Sequence, residues 1–426
     1  MMIRSPRIVQ ATLLALGCLA LLALTASSAG AARPPARSGT LREDLARSMR
    51  LAGPASGAFV QNATTGKVAF RWRHARPRIL ASNTKLYTTA TALARFGTEG
   101  RLHTDVRGDG ELVDDGVYRG NLYLVGGGDP TFGGRGFAHR SYGSFASVES
   151  LATKLDRTGI ERVSGRIVGD ESRFDSLRGG PESGYGTSPY VGPLSALGYN
   201  RGLADESGRS FQADPPSFTA ARLDAALESR GIRVRGAPRA GRRPGGTDLI
   251  ALVQSPPMAR LVQLTNKSSD NYFAETLVKD LAMQTEGRGT TERGARLAAG
   301  FARRLGVAPA GLADGSGLSR ANRSSPARVA QLLLKLRERD EFPALFDSLS
   351  IAGRDGTLGT RMRSGPARGN CRGKTGTLSN VSAVSGYCRA RSGQVYVFSI
   401  LMNGVDPYGA RNLQDGMLQA IAGMGG

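Results

Sequence analysis

Ala81-Ser82-Asn83-Thr84-Lys85-Leu86 opens the apolar segment whose reading decides the fold. A serine and a lysine three positions apart on a helix lie one turn apart on one face, within hydrogen-bond reach of each other. A helix that starts near Ser82 also sets unpaired N–H groups and its positive dipole end against charge developing at the serine. A hydroxyl becomes a nucleophile only when a base takes its proton, and a desolvated, neutral lysine is one such base. The same spacing fits a surface serine and a surface lysine that merely share a turn. With 36 serines and 7 lysines in 426 residues, chance alone supplies about 0.6 such pairs. The pair decides nothing until its neighbours are found.

Two further motifs follow in order. Ser269-Asp270-Asn271 opens a second helical segment and sets a hydroxyl and a carboxamide side by side, although Ser269 also suits an ordinary helix cap. Lys374-Thr375-Gly376-Thr377 falls on an expected strand, where Lys374 also fits a solvated edge lysine. With 7 lysines, 26 threonines and 58 glycines, a Lys-Thr-Gly triplet arises by chance only about 0.06 times. Ser-x-x-Lys, Ser-x-Asn and Lys-Thr-Gly, in this order, are the set found in penicillin-recognising serine acyltransferases. The chemistry coheres. Ser82 attacks a carbonyl, Lys85 takes its proton, Ser269 relays a proton to the leaving amine, and Asn271 bonds the substrate amide. Lys374, Thr375 and Thr377 suit a carboxylate at the substrate's end, with Lys374 kept charged. The N–H groups of Ser82 and Thr377 form an oxyanion hole. His74, His103 and His139 are the only histidines, no serine sits in a G-x-S-x-G elbow, and no residues show zinc-ligand spacing. No metal or other cofactor is expected.

On these residues the chain resembles the class C low-molecular-mass penicillin-binding proteins, the D-alanyl-D-alanine carboxypeptidase/endopeptidase family. The likeness extends to Leu122–Pro130 (LYLVGGGDP), Gly192–Asn200 (GPLSALGYN), Asn266–Asn271 (NKSSDN), Asp314–Arg320 (DGSGLSR), Arg354–Arg361 (RDGTLGTR) and Gly373–Tyr387. It implies an α/β (α+β), β-lactamase/transpeptidase-like fold: a five-stranded antiparallel sheet flanked by helices, with an inserted mixed α/β module. It also implies removal of terminal D-alanine from peptidoglycan stem peptides or cleavage of D-alanyl cross-links, through an acyl-enzyme on Ser82 that penicillin and other β-lactam antibiotics trap. Gly376, Leu378, Ser379 and Arg320 join the substrate-binding set by this likeness, the last three as readers of the stem-peptide side chain. The gap between the first two motifs looks shorter than the family's, so one inserted module is reduced. Two rivals remain: a serine β-lactamase, which shares the acyl-enzyme step, and a non-catalytic wall-binding protein on the same fold.

Charge and targeting set the surroundings. The formal charge is +22 and the pI about 10.8, spread without a basic run or aromatic interleaving, so a nucleic-acid partner is not expected. An anionic cell-wall or membrane surface suits it better. Arg4 and Arg7 precede an apolar run and then small residues to Ala32, which reads as a signal peptide over 1–31 or an uncleaved anchor. Export leaves Cys371 and Cys388 as a pair. A hairpin centred on Ser379-Asn380 places them face to face at bridging distance, against the alternative of two free thiols.

The pattern along the chain predicts helices over Leu41–Leu51, Ser82–Phe96, Val148–Leu155, Phe218–Arg230, Met258–Leu264, Asn271–Met283, Arg293–Leu305, Pro326–Glu338 and Asn412–Ile421. Strands are expected at Gly57–Gln61, Lys67–Trp72, Asn121–Val125, Arg162–Val168, Gly373–Thr377, Val384–Tyr387 and Gln394–Leu401. Ser172–Asn200 reads as irregular, and the Gly/Pro/Arg-rich stretch up to Gly246 reads as a linker. The division expected is a discontinuous catalytic domain, 33–100 and 256–426, around an insertion at 101–255.

Overall fold

Leu41–Leu51 forms the first helix (α1), held at its start by a capping box in which Thr40 and Glu43 satisfy each other's backbone N–H groups. The structure is a computed structural model that describes residues 40–143, 145–205 and 207–425, one unit by its internal contacts. The expected signal segment, 1–31, lies outside the described residues.

The central sheet is built from both ends of the chain. Gly57–Asn62 (β1) and Val68–Trp72 (β2) form the expected hairpin. Lys85–Phe96 (α2) follows, and Asn271–Glu286 (α3) comes after a long intervening stretch. Cys371–Leu378 (β3), Val381–Arg389 (β4), Val395–Asn403 (β5) and helix Pro407–Ala422 (α4) close the chain. The sheet order is Ser350–Ile351, β3, β4, β5, β1, β2, antiparallel throughout. Five long strands match the expected sheet, and the short strand Ser350–Ile351 adds a sixth beside β3. Both faces are covered. Ala383, Tyr387, Val397 and Leu401 pack with α2, α3 and their neighbours, while Val384, Cys388, Phe398 and Ile400 pack with α1 and α4. The side-chain period of two sends alternate residues into the two cores, which is why these strands read as apolar runs.

The intervening stretch carries a mixed sheet of its own. Asp248–Gln254, His103–Gly108, Leu122–Val125 and Arg162–Asp170 lie side by side, the last pair parallel, with helices Val148–Asp156 and Pro215–Glu228 packed on one face. Arg233–Ala240, inside the expected linker, is in fact a strand parallel to Arg162–Asp170. Gly, Pro and Arg give it no strand signature, and its hydrogen-bond partner supplies the order instead. Asp248–Gln254 likewise escaped the pattern. Helices Arg135–Tyr142 and Phe342–Ser348 are also additional.

The irregular stretch Ser172–Asn200 is pinned rather than loose. Asp175 accepts from Lys279 of α3 at 2.5 Å, and Arg178 chelates Glu171. Just beyond it, Arg201 pairs with Asp270 at the start of α3.

Candidate active site

Ser82 sits in a 3₁₀ turn, Ala81–Thr84, that runs directly into α2. Ala81 adopts φ +46°, a left-handed conformation that costs a non-glycine residue about 1–2 kcal/mol. Gly317 packs so close that a Cβ on it would lie 1.9 Å from the Ala81 carbonyl oxygen. Gly376 of β3 approaches from the other side, where a Cβ would stand 2.9 Å from the Ser82 nitrogen. The backbone around the serine is therefore clamped between a loop and a strand, and both contacts require glycine. Gly97, at φ +74°, ends α2 as its glycine predicts.

Lys85 is fully buried. Its Nζ lies 3.0 Å from Ser82 Oγ, 2.7 Å from Asn271 Oδ1 and 2.7 Å from the Ser316 carbonyl. Burial lowers its pKa from 10.5 to about 8, against the raising influence of Glu275, Asp314 and Asp270. Desolvation thus wins over three nearby acids, and the amine spends time neutral beside the hydroxyl. Asp270 caps α3 through the Phe273 N–H at 3.1 Å. Ser269 immediately before it is held at φ +61°, so the turn that presents Ser269 and Asn271 is strained as well. Asn271 Nδ2 donates to the Tyr190 carbonyl at 3.1 Å, which ties the irregular stretch to the site.

β3 forms the opposite wall. Ser82, Ser269, Asn271, Thr375, Gly376, Thr377 and Leu378 line one cleft of about 430 Å³. Size alone does not single it out. A cavity of about 460 Å³ against Asp170, Glu171, Arg242 and Arg288 holds none of the motif residues. Lys374 lies beneath the cleft wall, fully buried, donating to the Thr375 carbonyl at 2.8 Å. Burial, with the Lys85 charge adding, pushes it well below the usual lysine value. The sequence reading expects a permanently charged Lys374, and its burial works against that. Arg320 and Ser379 meet each other rather than the cleft lining: Arg320 donates to the Ser379 carbonyl at 2.7 Å, to its hydroxyl at 2.6 Å and to Asn380 Oδ1 at 3.1 Å. Cys371 and Cys388 are joined by a disulfide, directly opposite in the β3–β4 register.

Five cleft residues were not among those expected from the sequence: Leu318, Thr357, Thr360, Arg361 and Arg411. Thr357 bonds the Thr375 hydroxyl at 2.7 Å, and Arg361 is paired with Asp415. Arg411 donates to Thr377 Oγ1 at 3.2 Å and has its guanidinium 5.0 Å from the Tyr408 ring centre. Arg361 lay within a stretch shared with the resembled family, but nothing in the sequence pointed to Arg411.

A buried amine on a serine hydroxyl, an Asn beside it and a Lys-Thr-Gly strand opposite define the serine acyl-enzyme class on a β-lactamase-like fold. The profile of the D-Ala-D-Ala carboxypeptidase 3 (S13) family matches residues 38–207 and 205–423, and the chain belongs to that family. It is 29% identical, over 97% of its length and 90% of the relative's, to the D-alanyl-D-alanine carboxypeptidase of Actinomadura sp. (strain R39). It is 30% identical to carboxypeptidase DacB of Mycolicibacterium smegmatis, over 84% of this chain and 79% of that one. The crystal structure of penicillin binding protein 4 (dacB) from Haemophilus influenzae shares the fold, with TM-score 0.75 at 21% identity over 88% of this chain and 97% of that one.

Proposed function

We propose that the protein is a serine-type D-alanyl-D-alanine carboxypeptidase/endopeptidase that acts on peptidoglycan stem peptides and is acylated by penicillin at Ser82. Neutral Lys85 takes the Ser82 proton as Oγ attacks the carbonyl of the penultimate D-alanine. The N–H groups of Ser82 and Thr377 receive the developing oxyanion. Ser269 passes a proton to the leaving nitrogen, and Asn271 holds the substrate amide while its oxygen keeps Lys85 in place. Thr375 and Thr377 take the leaving residue's carboxylate, beside which a charged Lys374 is favoured once that anion arrives. Water then hydrolyses the acyl-enzyme. The observation that carries this reading is the Lys85 amine, 3.0 Å from Ser82 Oγ and depressed to about 8 by burial.

The catalytic part is assigned to 33–100 and 256–426 and the insertion to 101–255. The expected signal segment and the high positive charge favour an exported protein at an anionic wall. No helix among the described residues is long and apolar enough to cross a membrane. The test is incubation with a peptide ending in D-Ala-D-Ala and, separately, with a fluorescent penicillin. Free D-alanine together with a long-lived penicillin label is the expected result. Rapid penicillin turnover without D-alanine would identify a β-lactamase, and neither signal would leave a non-catalytic wall protein.

A further inference from the structure

The stretch between the first two motifs reaches Ser269-Asp270-Asn271 at two adjacent residues. Asn271 Nδ2 donates to the Tyr190 carbonyl at 3.1 Å. Asp270 takes the Arg201 guanidinium in a two-pronged pair, Nη1 on Oδ2 and Nη2 on Oδ1, the latter at 3.1 Å. An arginine fork on a carboxylate fixes orientation as well as charge. The guanidinium also lies over two rings of α3, 5.6 Å from the centre of Tyr272 and 5.9 Å from that of Phe273. The Arg201 side chain is 29% exposed and that of Asp270 12%, so breaking the pair would strand a half-shielded charge rather than return it to water.

Both partners stand on or beside backbone that a Cβ disfavours. Asn200 and Arg201 hold φ +49° and φ +62° in succession, and Ser269 holds φ +61°. Such conformations persist only where the surroundings impose them. Around Arg201, the Asn200 N–H donates to the Phe132 carbonyl at 3.1 Å, and Asn200 Oδ1 accepts the Gly134 N–H at 2.9 Å. Around Ser269, the Asp270 N–H donates to the Thr265 carbonyl at 2.9 Å, and Asp270 Oδ1 accepts the Phe273 N–H at 3.1 Å. The Ser269 hydroxyl itself has no hydrogen-bond partner among the described residues. Its aim is therefore set by the backbone that Asp270 anchors.

We propose that Arg201 is a positioning residue that grips Asp270, so that the strained turn keeps the Ser269 hydroxyl in line with the leaving nitrogen. Arg201 does not line the cleft and acts through Asp270. The inference rests on Ser269 relaying the proton, and it gives a residue outside all three motifs a part in the chemistry. When a carbon–nitrogen bond breaks, the departing amine must gain a proton, whereas the thiolate of a thioester departs without one. Misplacing Ser269 therefore costs an amide substrate more than a thioester.

The measurement is kcat/KM, which reports the steps up to the acyl-enzyme, for two substrates with one acyl group. One is a peptide ending in D-Ala-D-Ala, followed by D-alanine release; the other is its thioester analogue, followed by thiol release. Ser269→Ala is the reference and should slow the peptide far more than the thioester. Arg201→Met should follow it, lowering the peptide value roughly 10- to 100-fold and leaving the thioester value nearly unchanged. Asp270→Asn can still cap α3 but offers Arg201 no charge, and it should show the same selective loss. Combining it with Arg201→Met should add little. Should Arg201→Met not fold, Arg201→Lys, which lacks the fork, makes the same comparison beside Asp270→Asn. An equal fall on both substrates, no fall, or additive losses in the double variant would overturn the proposal while Ser269→Ala still discriminates. Failure of Ser269→Ala to discriminate would remove the relay and this inference with it. No D-alanine from wild type would remove the carboxypeptidase reading itself.

Discussion

Arg411 and Lys374 both stand near the end of the cleft that we propose takes a carboxylate, but their surroundings differ. Lys374 is sealed beneath the strand with a backbone carbonyl as its acceptor. Arg411 lines the cleft and rests on Thr377 Oγ1, and its planar guanidinium is shaped to meet a carboxylate with two parallel N–H groups. The neighbouring Asp415 is engaged by Arg361. Arg411→Ala should therefore lower kcat/KM for a peptide with a free terminal carboxylate by roughly 10- to 100-fold, as expected for a charge-assisted contact of about 1.5–3 kcal/mol. The same peptide as its carboxamide should lose much less, so the acid-to-amide preference collapses. An unchanged preference, measured by D-alanine or D-alaninamide release, would remove Arg411 from carboxylate recognition. At this scale the motif residues were legible because each brings its chemistry within a few positions of sequence. Arg411 was not. It reaches the site from one face of α4, and nothing in a single sequence distinguishes that face from an ordinary helix surface.

The β3–β4 hairpin shows what can be read at the level of an element. Strand pairing has a period of two, so a turn at Ser379-Asn380 determines every opposite pair, from Leu378 with Val381 to Cys371 with Cys388. Asn380 takes the left-handed conformation the turn requires, φ +56°. The disulfide closes the end of the hairpin remote from the turn, whereas Gly376 and Thr377 line the cleft nearer the turn. Replacing both cysteines with serine should cost about 2–3 kcal/mol, by the loop-closure argument for a cross-link of this span, measured by denaturant unfolding. Penicillin acylation of the folded variant should persist, and loss of acylation in the folded state would show that the bridge also shapes the cleft. Arg233–Ala240 marks the limit of this kind of reading. Its residues lack strand propensity, and only the parallel neighbour Arg162–Asp170 makes it a strand.

Across the whole molecule, the inserted sheet meets α3 through buried acids as well as ion pairs. Asp280 of α3 and Asp129 of the Gly126–Pro130 turn are both buried, and neither oxygen of Asp280 has a hydrogen-bond partner among the described residues. The Asp280 carboxyl is so close that a Cβ on Gly128 would lie 1.9 Å from Oδ1. Burial raises Asp129 from 3.8 to about 6 and Asp280 well above 3.8, with Asp129 adding to the latter shift. Raised values mean that the folded state binds these protons more tightly than the unfolded chain. Their stabilising contribution is complete below the unfolded value and is lost as pH climbs through the folded values. The melting temperature should therefore fall from about pH 4 through pH 6 and beyond, and Asp280→Asn should flatten that slope. An equal slope in wild type and variant, by scanning calorimetry, would contradict this. An insertion between the first two motifs is expected from the sequence but this junction is not, because acids in an ordinary helix and turn look solvated until the packing is known.

Penicillin acylation located by mass spectrometry tests the central claim most directly. After incubation with benzylpenicillin and proteolysis, the adduct should lie on the peptide that contains Ser82. It should be absent from Ser82→Ala and strongly reduced in Lys85→Met. A folded wild-type protein with no adduct, or with the adduct on another residue, would contradict the assignment of Ser82 as the nucleophile.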